Sequence, residues 1–284
     1  FRRVEFLGTG EYQLKRDWNV DRSFASPNFT ISDGTFRLNH NALSVMNTTN
    51  GDITIGVNGE MIIDSLAELK IPQTRTLNNY GTFQIVGTAS GPAVMRCHTA
   101  GANRYFFYKQ YSGITHAKYY SIENTDGYGM EFLGGAIDEV NNFTDGQFSG
   151  GRLLAGNSAY ITLRDGDISI PNNHTLTNVL FYSGADKNII RETNTGAGVL
   201  TFENASGPLS GEDHEVDPNN LVEWTYPGAI YWTGGASDDD WNSGGNWSNG
   251  LVPDENSQVF LDNTNVSGAY TVNIAADAIA KYLN

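Results

Sequence analysis

The sequence predicts an all-β protein, a solenoid of short strands wound into a coil, and three observations carry that reading. First, 32 glycines, 14 tyrosines and 14 phenylalanines in 284 residues, with only 17% charged side chains, supply turns and strand-favouring aromatics and little of the Ala/Leu/Glu/Lys signature of helices. Second, triplets of the form apolar-x-apolar recur at short, even intervals between Gly, Asn and Asp. Third, a strand of only a few residues buries too little surface to offset the entropy of ordering its own turns, so each must lie against a copy of itself.

Taken in order, Val4-Glu-Phe6, Tyr12-Gln-Leu14, Trp18-Asn-Val20, Phe29-Thr-Ile31, Phe36-Arg-Leu38, Leu43-Ser-Val45, Ile53-Thr-Ile55 and Met61-Ile-Ile63 read as strands. Ser65 to Lys70 is the one stretch here with the look of a helical turn, and it is too short to stand as a helix by itself. In Thr76-Leu-Asn-Asn-Tyr-Gly-Thr-Phe-Gln-Ile-Val-Gly87, the Asn78 and Asn79 amides are expected to bond backbone and to stack from turn to turn as ladders. Gly81 and Gly87 are expected to supply positive-φ corners. The run Arg104-Tyr-Phe-Phe-Tyr-Lys-Gln-Tyr111 is the most aromatic. Alternation there is read as placing Tyr105, Phe107 and Gln110 on one face, with Phe106 and Tyr108 on the other. Tyr105, Phe107 and Tyr108, beside Arg104 and Lys109, are the candidates for stacking on a sugar ring.

From Ala117 to Gly151 three short strands put Tyr120 and Ile122, then Met130 and Phe132, then Ile137, Val140 and Phe143 inward, with Gly-rich breaks between them. Tyr160 to Leu163, Asp167 to Ile170, Leu176 to Gly184, Asn188 to Ile190 and Val199 to Phe202 continue the coil. Alternation then lapses from Gly207 until Leu221-Val-Glu-Trp224. After Tyr231 the pattern becomes Tyr-Trp232-Thr-Gly-Gly235, Trp241-Asn and Asn246-Trp247-Ser-Asn-Gly250 with Val252-Pro253. Three tryptophans within 16 residues need a common pocket, as a compact aromatic cap or linker would provide. The predicted organisation is a β-solenoid over 1–206, a closing loop and strand over 207–230, and a tryptophan-rich module with the first turns of a further solenoid over 231–284.

The run Ile122-Glu-Asn-Thr-Asp-Gly-Tyr-Gly-Met-Glu-Phe-Leu-Gly-Gly135 resembles turns of the right-handed parallel β-helix, the pectin-lyase-like fold, in the form it takes in very large bacterial surface proteins. Thr76 to Gly87 is similar to a turn-and-strand motif of bacterial β-solenoids, and Tyr231 to Pro253 resembles an opening found in autotransporter-like surface proteins. The resemblance implies a segment of a long extracellular protein at a bacterial cell surface, a stiff rod or filament with an adhesive role. Its partners would be other segments of the same chain and glycans. Phe1 does not look like a natural start and Leu283-Asn284 falls inside a strand pattern, so the sequence reads as part of something longer.

A formal charge of −15 argues against nucleic acid or an anionic membrane as partner, since either demands a basic face. No apolar run approaches the roughly 18 residues of a membrane span. Cys97, the one cysteine, has apolar neighbours and is read as a buried thiol. The competing function class is a carbohydrate-active β-helix: a lyase, a glycosidase or a tail-spike-like enzyme. The resemblance would then require clustered carboxylates with a Lys or Arg on one strand face. Candidates are Asp138 with Glu139, Asp165 with Asp167, Glu212 and Asp213 with Glu215 and Asp217, and Asp238 to Asp240. All sit beside turn glycines or a proline, where acids are ordinary, and the expectation is that no residue is catalytic. Asp238, Asp239 and Asp240 are also the candidates for a Ca²⁺ site, although the full EF-hand spacing is missing. The five histidines lie too far apart for a zinc motif.

Overall fold

Strand after strand buries alternate residues: in Ala93–Cys97 and in Phe106–Gln110 the first, third and fifth side chains are buried and the two between are half-exposed. This alternation, repeated at each turn, produces a parallel β-solenoid of about nine turns. The computed structural model describes the chain apart from residues 1–3, 21–28, 47, 48, 50, 100–103, 155, 157, 165–169, 171, 227, 255, 256, 262–265, 267, 268, 275–277, 279, 281 and 284.

The first turn comprises β1 (Val4–Phe6), β2 (Glu11–Gln13) and β3 (Trp18–Val20). In the second and third, the long strands β4 (Phe29–Arg37) and β6 (Ile53–Ile63) bend across two faces and are followed by β5 (Ala42–Val45) and β7 (Glu68–Ile71) on the third. The fourth holds β8 (Thr76–Asn79), β9 (Thr82–Val86) and β10 (Ala93–Cys97), and the fifth β11 (Phe106–Gln110), β12 (Ile114–Lys118) and β13 (Tyr120–Glu123). The sixth holds β14 (Thr125–Phe132), β15 (Ala136–Thr144) and β16 (Gln147–Ser149), and the seventh β17 (Ala159–Leu163), β18 (His174–Thr177) and β19 (Leu180–Phe181). β20 (Lys187–Arg191) and β21 (Leu200–Glu203), then β22 (Glu215–Val216) and β23 (Val222–Thr225), complete the coil. Face one thus runs through β8, β11, β14, β17, β20 and β22; face two through β9, β12 and β15, then β18, β21 and β23; face three from β3 to β19. Among the described strands every pairing is parallel and most run in unbroken register, so Ile53, Leu77, Tyr108, Met130, Ile161 and Ile189 form one column inside face one.

Two corners are built by different chemistry. Between faces one and two the backbones of successive turns approach closely, and glycine is required for space. A Cβ on Gly81 would lie 2.1 Å from the Gly56 carbonyl oxygen, and one on Gly113 only 1.8 Å from that of Gly81. Gly81 and Gly87 were expected to serve through positive φ. Neither adopts it, whereas Gly34, Gly113 and Gly135 do. Between faces two and three several turns pass through a left-handed residue, among them Tyr119, Asp145, Asn178 and Asn204, with φ of 49°, 56°, 56° and 54°. The N–H of each donates to the next turn, to Thr144, Thr177, Glu203 and Thr225 respectively. Asn and Asp tolerate this conformation better than most side chains, which explains the Asn-rich turns. Among the described residues the amide ladder at this corner reduces to one link, Asn178 Nδ2 to Asp145 Oδ1 at 2.8 Å.

Phe148 lies parallel to Phe181 at 5.6 Å and Phe202 parallel to Trp224 at 4.5 Å, so rings stack along the interior as the turns do. Cys97 is buried, and burial raises its thiol pKa. Tyr108 and Gln110 are both buried, correcting the face assigned to Gln110: with Phe106 they share one parity and point inward. Val140, expected inside, is 75% exposed. β15 pairs Ile137 with Thr115 but Asn142 with Ala117, and the bulge between them breaks the alternation. Ser65 to Lys70 forms a turn leading into β7, with no helix. Nor does the coil stop at 206. After a 3-10 turn at Glu212–His214, β22 pairs with β20 and β23 with β21, and the compact unit extends to Thr225.

The second unit, Tyr226–Asn284, contains β24 (Ile230–Tyr231), β25 (Gln258–Phe260) and β26 (Tyr282–Leu283), again parallel. Its tryptophans do share a pocket. Trp247 meets Trp232 at 5.0 Å and Trp241 at 4.8 Å, both edge-on, and donates its indole N–H to the Trp241 carbonyl at 2.7 Å.

Candidate functional site

A group of ionisable side chains from several turns meets on face one, at a bulge in β14. Phe106 pairs with Thr125 but Tyr108 with Met130, so the segment between, Asp126-Gly-Tyr-Gly129, is extra chain relative to β11. Both glycines are closely packed, and at Gly129 the neighbour is backbone. A Cβ on Gly129, at φ 64°, would lie 2.1 Å from the Tyr160 carbonyl oxygen, and one on Gly127 would lie 2.1 Å from Leu154 Cδ1. Bulges of this kind re-aim side chains and are common beside functional sites.

Beyond the bulge the register places Lys109 against Glu131. Lys109 Nζ lies 3.2 Å from Glu131 Oε2, while Arg164 places Nε and Nη2 each 2.8 Å from Glu131 Oε1 and Nη1 2.8 Å from Glu192. Burial works against the charge of Arg164, but hydrogen bonds and attraction from Glu192 and Glu131 hold its pKa above the ordinary arginine value. Its guanidinium also rests 4.5 Å from the centre of the Tyr128 ring, and that of Arg152 rests 4.4 Å from the centre of Tyr105. Asp126, 3% exposed, accepts the Tyr128 N–H at 3.2 Å. Burial pushes its pKa up to about 6, the Tyr128 N–H pulls it down, Glu131 raises it, and Lys109 and Arg152 lower it.

Arg152 is the cation of this group whose side chain makes no hydrogen bond or ion pair to protein among the described residues, while its backbone N–H reaches the Thr125 carbonyl at 3.0 Å. Thr125 Oγ1, next to Asp126, is buried and without a partner. Sequence reasoning passed over this cluster, because its members come from several turns and only the register brings them together. The available signal was Asp126 and Glu131 on either side of a Gly-Tyr-Gly, one turn after Lys109.

Of the aromatic candidates, Tyr105 and Phe107 remain at the surface, half-buried and edge-on to each other at 5.6 Å. Tyr108 is corrected to the core. It is fully buried, its hydroxyl 2.6 Å from Thr115 Oγ1, and burial raises its pKa well above the ordinary phenol value. An exposed pair exists instead at Tyr80 and Tyr111, 4.9 Å apart and within 8° of parallel.

Asp238 is committed within its own loop, accepting from Ser243 Oγ at 2.5 Å, Asn246 Nδ2 at 2.6 Å and the Asp240 N–H at 3.1 Å. Among the described residues no three His, Cys, Asp or Glu side chains are placed to hold a metal ion, Asp238 to Asp240 included. Asp138 accepts the Asn141 N–H at 2.7 Å and lies 3.3 Å from His116 Nδ1. Asp217 accepts the N–H groups of Leu221 and Val222, and Glu215 accepts the Trp224 indole N–H at 2.6 Å. Asp165 and Asp167 lie outside the described residues. Among the described residues no helix is long and apolar enough to cross a membrane. Comparison with family models, with curated proteins and with solved structures found no match.

Proposed function

We propose that this chain is a structural and adhesive segment of a large secreted protein at a bacterial cell surface, a rod or filament element that contacts glycans through its exterior. The observation that carries this reading is the in-register coil. Its interior is closed by apolar and aromatic stacking, so what remains for other molecules is the outside of the faces. A parallel coil lengthens by about 4.8 Å per turn and resists bending because each turn bonds the next along its strands. Among the acids named from the sequence, Asp138, Asp217, Asp238 and Asp240 accept backbone N–H groups of their own turns, which suits structure better than reaction.

A second reading, a carbohydrate-active β-helix, draws on the β14 bulge, where a buried carboxyl poised near neutrality stands close to Glu131 and Lys109. Against it, Glu131 is already paired to both Lys109 and Arg164, leaving no free base beside the acid. A glycan array and a cleavage screen on the purified chain, each with and without EDTA, separate the readings. The adhesive account expects binding with no new reducing or unsaturated ends in either condition. Appearance of such ends, abolished by Asp126→Asn, would establish the enzyme instead.

A further inference from the structure

We propose that Arg152 and the β14 bulge form a binding site for an oxyanion carried on a glycan, a carboxylate or sulfate ester, and that Asp126 gates it by taking up a proton. The inference rests on the reading that the exterior of the coil contacts glycans. It adds the chemistry and the control of that contact.

A guanidinium presents five N–H donors in a fork that matches a planar or tetrahedral oxyanion. At Arg164 these donors are spent on Glu131 and Glu192, whereas at Arg152 none meets a protein acceptor among the described residues. Arg152 is nevertheless held in place, over Tyr105 and anchored through its backbone to Thr125. A fixed, half-buried guanidinium with unused donors is preorganised for an anion, because little side-chain entropy is left to lose on binding.

The charge that competes with such an anion is Asp126. The groups facing it are Glu131 on its own strand, Lys109 on β11 and Arg152 on the segment after β16, with Arg164 and Glu192 tied in through Glu131. With Asp126 ionised, three cations, Lys109, Arg152 and Arg164, face three carboxylates, Asp126, Glu131 and Glu192, and the cluster is balanced. With Asp126 protonated one positive charge is uncompensated, and Arg152 is where donors are free. A proton taken up at Asp126 therefore favours the anion, in a chain whose overall charge of −15 otherwise repels it.

The test measures binding of the full chain to immobilised dextran sulfate, carboxymethyl dextran and plain dextran at pH 5 and pH 8. The wild type should bind one or both charged polymers about tenfold more tightly at pH 5, the equivalent of a one-unit linkage. Asp126→Asn, which mimics the protonated acid, should bind well at both pH values. Arg152→Gln should lose binding, and Arg152→Lys should recover part of it. Equal binding by Arg152→Gln, or an unchanged pH ratio in Asp126→Asn, overturns the proposal. Binding to plain dextran with no preference for the charged polymers also overturns it while leaving the contact reading intact, and failure to bind any of the three defeats both. Circular dichroism of each variant guards against an unfolded chain.

Discussion

Inside the coil, one polar group shows how single residues set the register. Asn79 and Gln110 occupy paired positions on successive turns and meet the Tyr108 hydroxyl and Thr115 Oγ1 with no access to solvent. Removing one partner leaves the others buried and unsatisfied, at about 1–3 kcal/mol for a neutral group. Tyr108→Phe, which changes the apolar packing little, should therefore lower stability by about that amount in urea melts; no measurable loss would show the network to be dispensable. Gly113 is a harsher position. At φ +76°, with a Cβ on alanine 1.8 Å from the Gly81 carbonyl oxygen, Gly113→Ala should cost about 3 kcal/mol or more, whereas the same change at Gly228, where nothing lies within 4 Å, carries only the φ penalty of about 1 kcal/mol. At this scale the sequence told which residues were glycine or asparagine but not why. The Gly81 corner is set by the neighbouring turn's backbone, which no local pattern reports.

Elements show where alternation stops being informative. β10 and β11 follow it residue by residue, but β14 and β15 each carry extra residues, and a bulge shifts everything after it. Val140 was misplaced for that reason. The cluster at Lys109, Asp126, Glu131, Arg152 and Arg164 escaped notice because its adjacency exists only once the turns are stacked. The last turn makes a separate prediction. Glu215 joins β22 to β23 through the Trp224 indole. Its burial first, and repulsion from Asp217 and Glu212 after it, raise its pKa from 4.5 to about 7 despite the indole hydrogen bond. A carboxyl that holds its proton more tightly when folded favours the fold most below pH 4.5, loses that contribution as pH rises to about 7, and adds nothing further above it. Asp126 acts in the same direction between 3.8 and about 6. The urea midpoint should thus fall from pH 5 to pH 8, and Glu215→Gln should flatten part of the fall. A rising midpoint would contradict the assignment. In the second unit, Asp238 is occupied by Ser243, Asn246 and the Asp240 N–H. Millimolar Ca²⁺ should leave its thermal transition unmoved, and a clear upward shift would restore the cation site.

For the whole coil, the class of fold was legible from composition and from the brevity of its strands, which cannot be stable alone. Its end was not: residues 207–220 lack alternation, yet backbone pairing on either side of them adds a further turn. The central claim is that successive turns lie in register along one axis. Thr30, Thr54, Asn78, Lys109, Glu131, Thr162, Ile190 and Val216 follow one another across face one. Spin labels at Thr30 and Val216 are then separated by seven inter-strand steps, and labels at Asn78 and Val216 by five. Pulsed electron-electron resonance should give mean distances of about 34 Å and about 24 Å, in proportion to the steps at about 4.8 Å each and widened only by the label linkers. Two distances that fail to scale with the number of turns, as in a folded-back antiparallel sandwich, would contradict it.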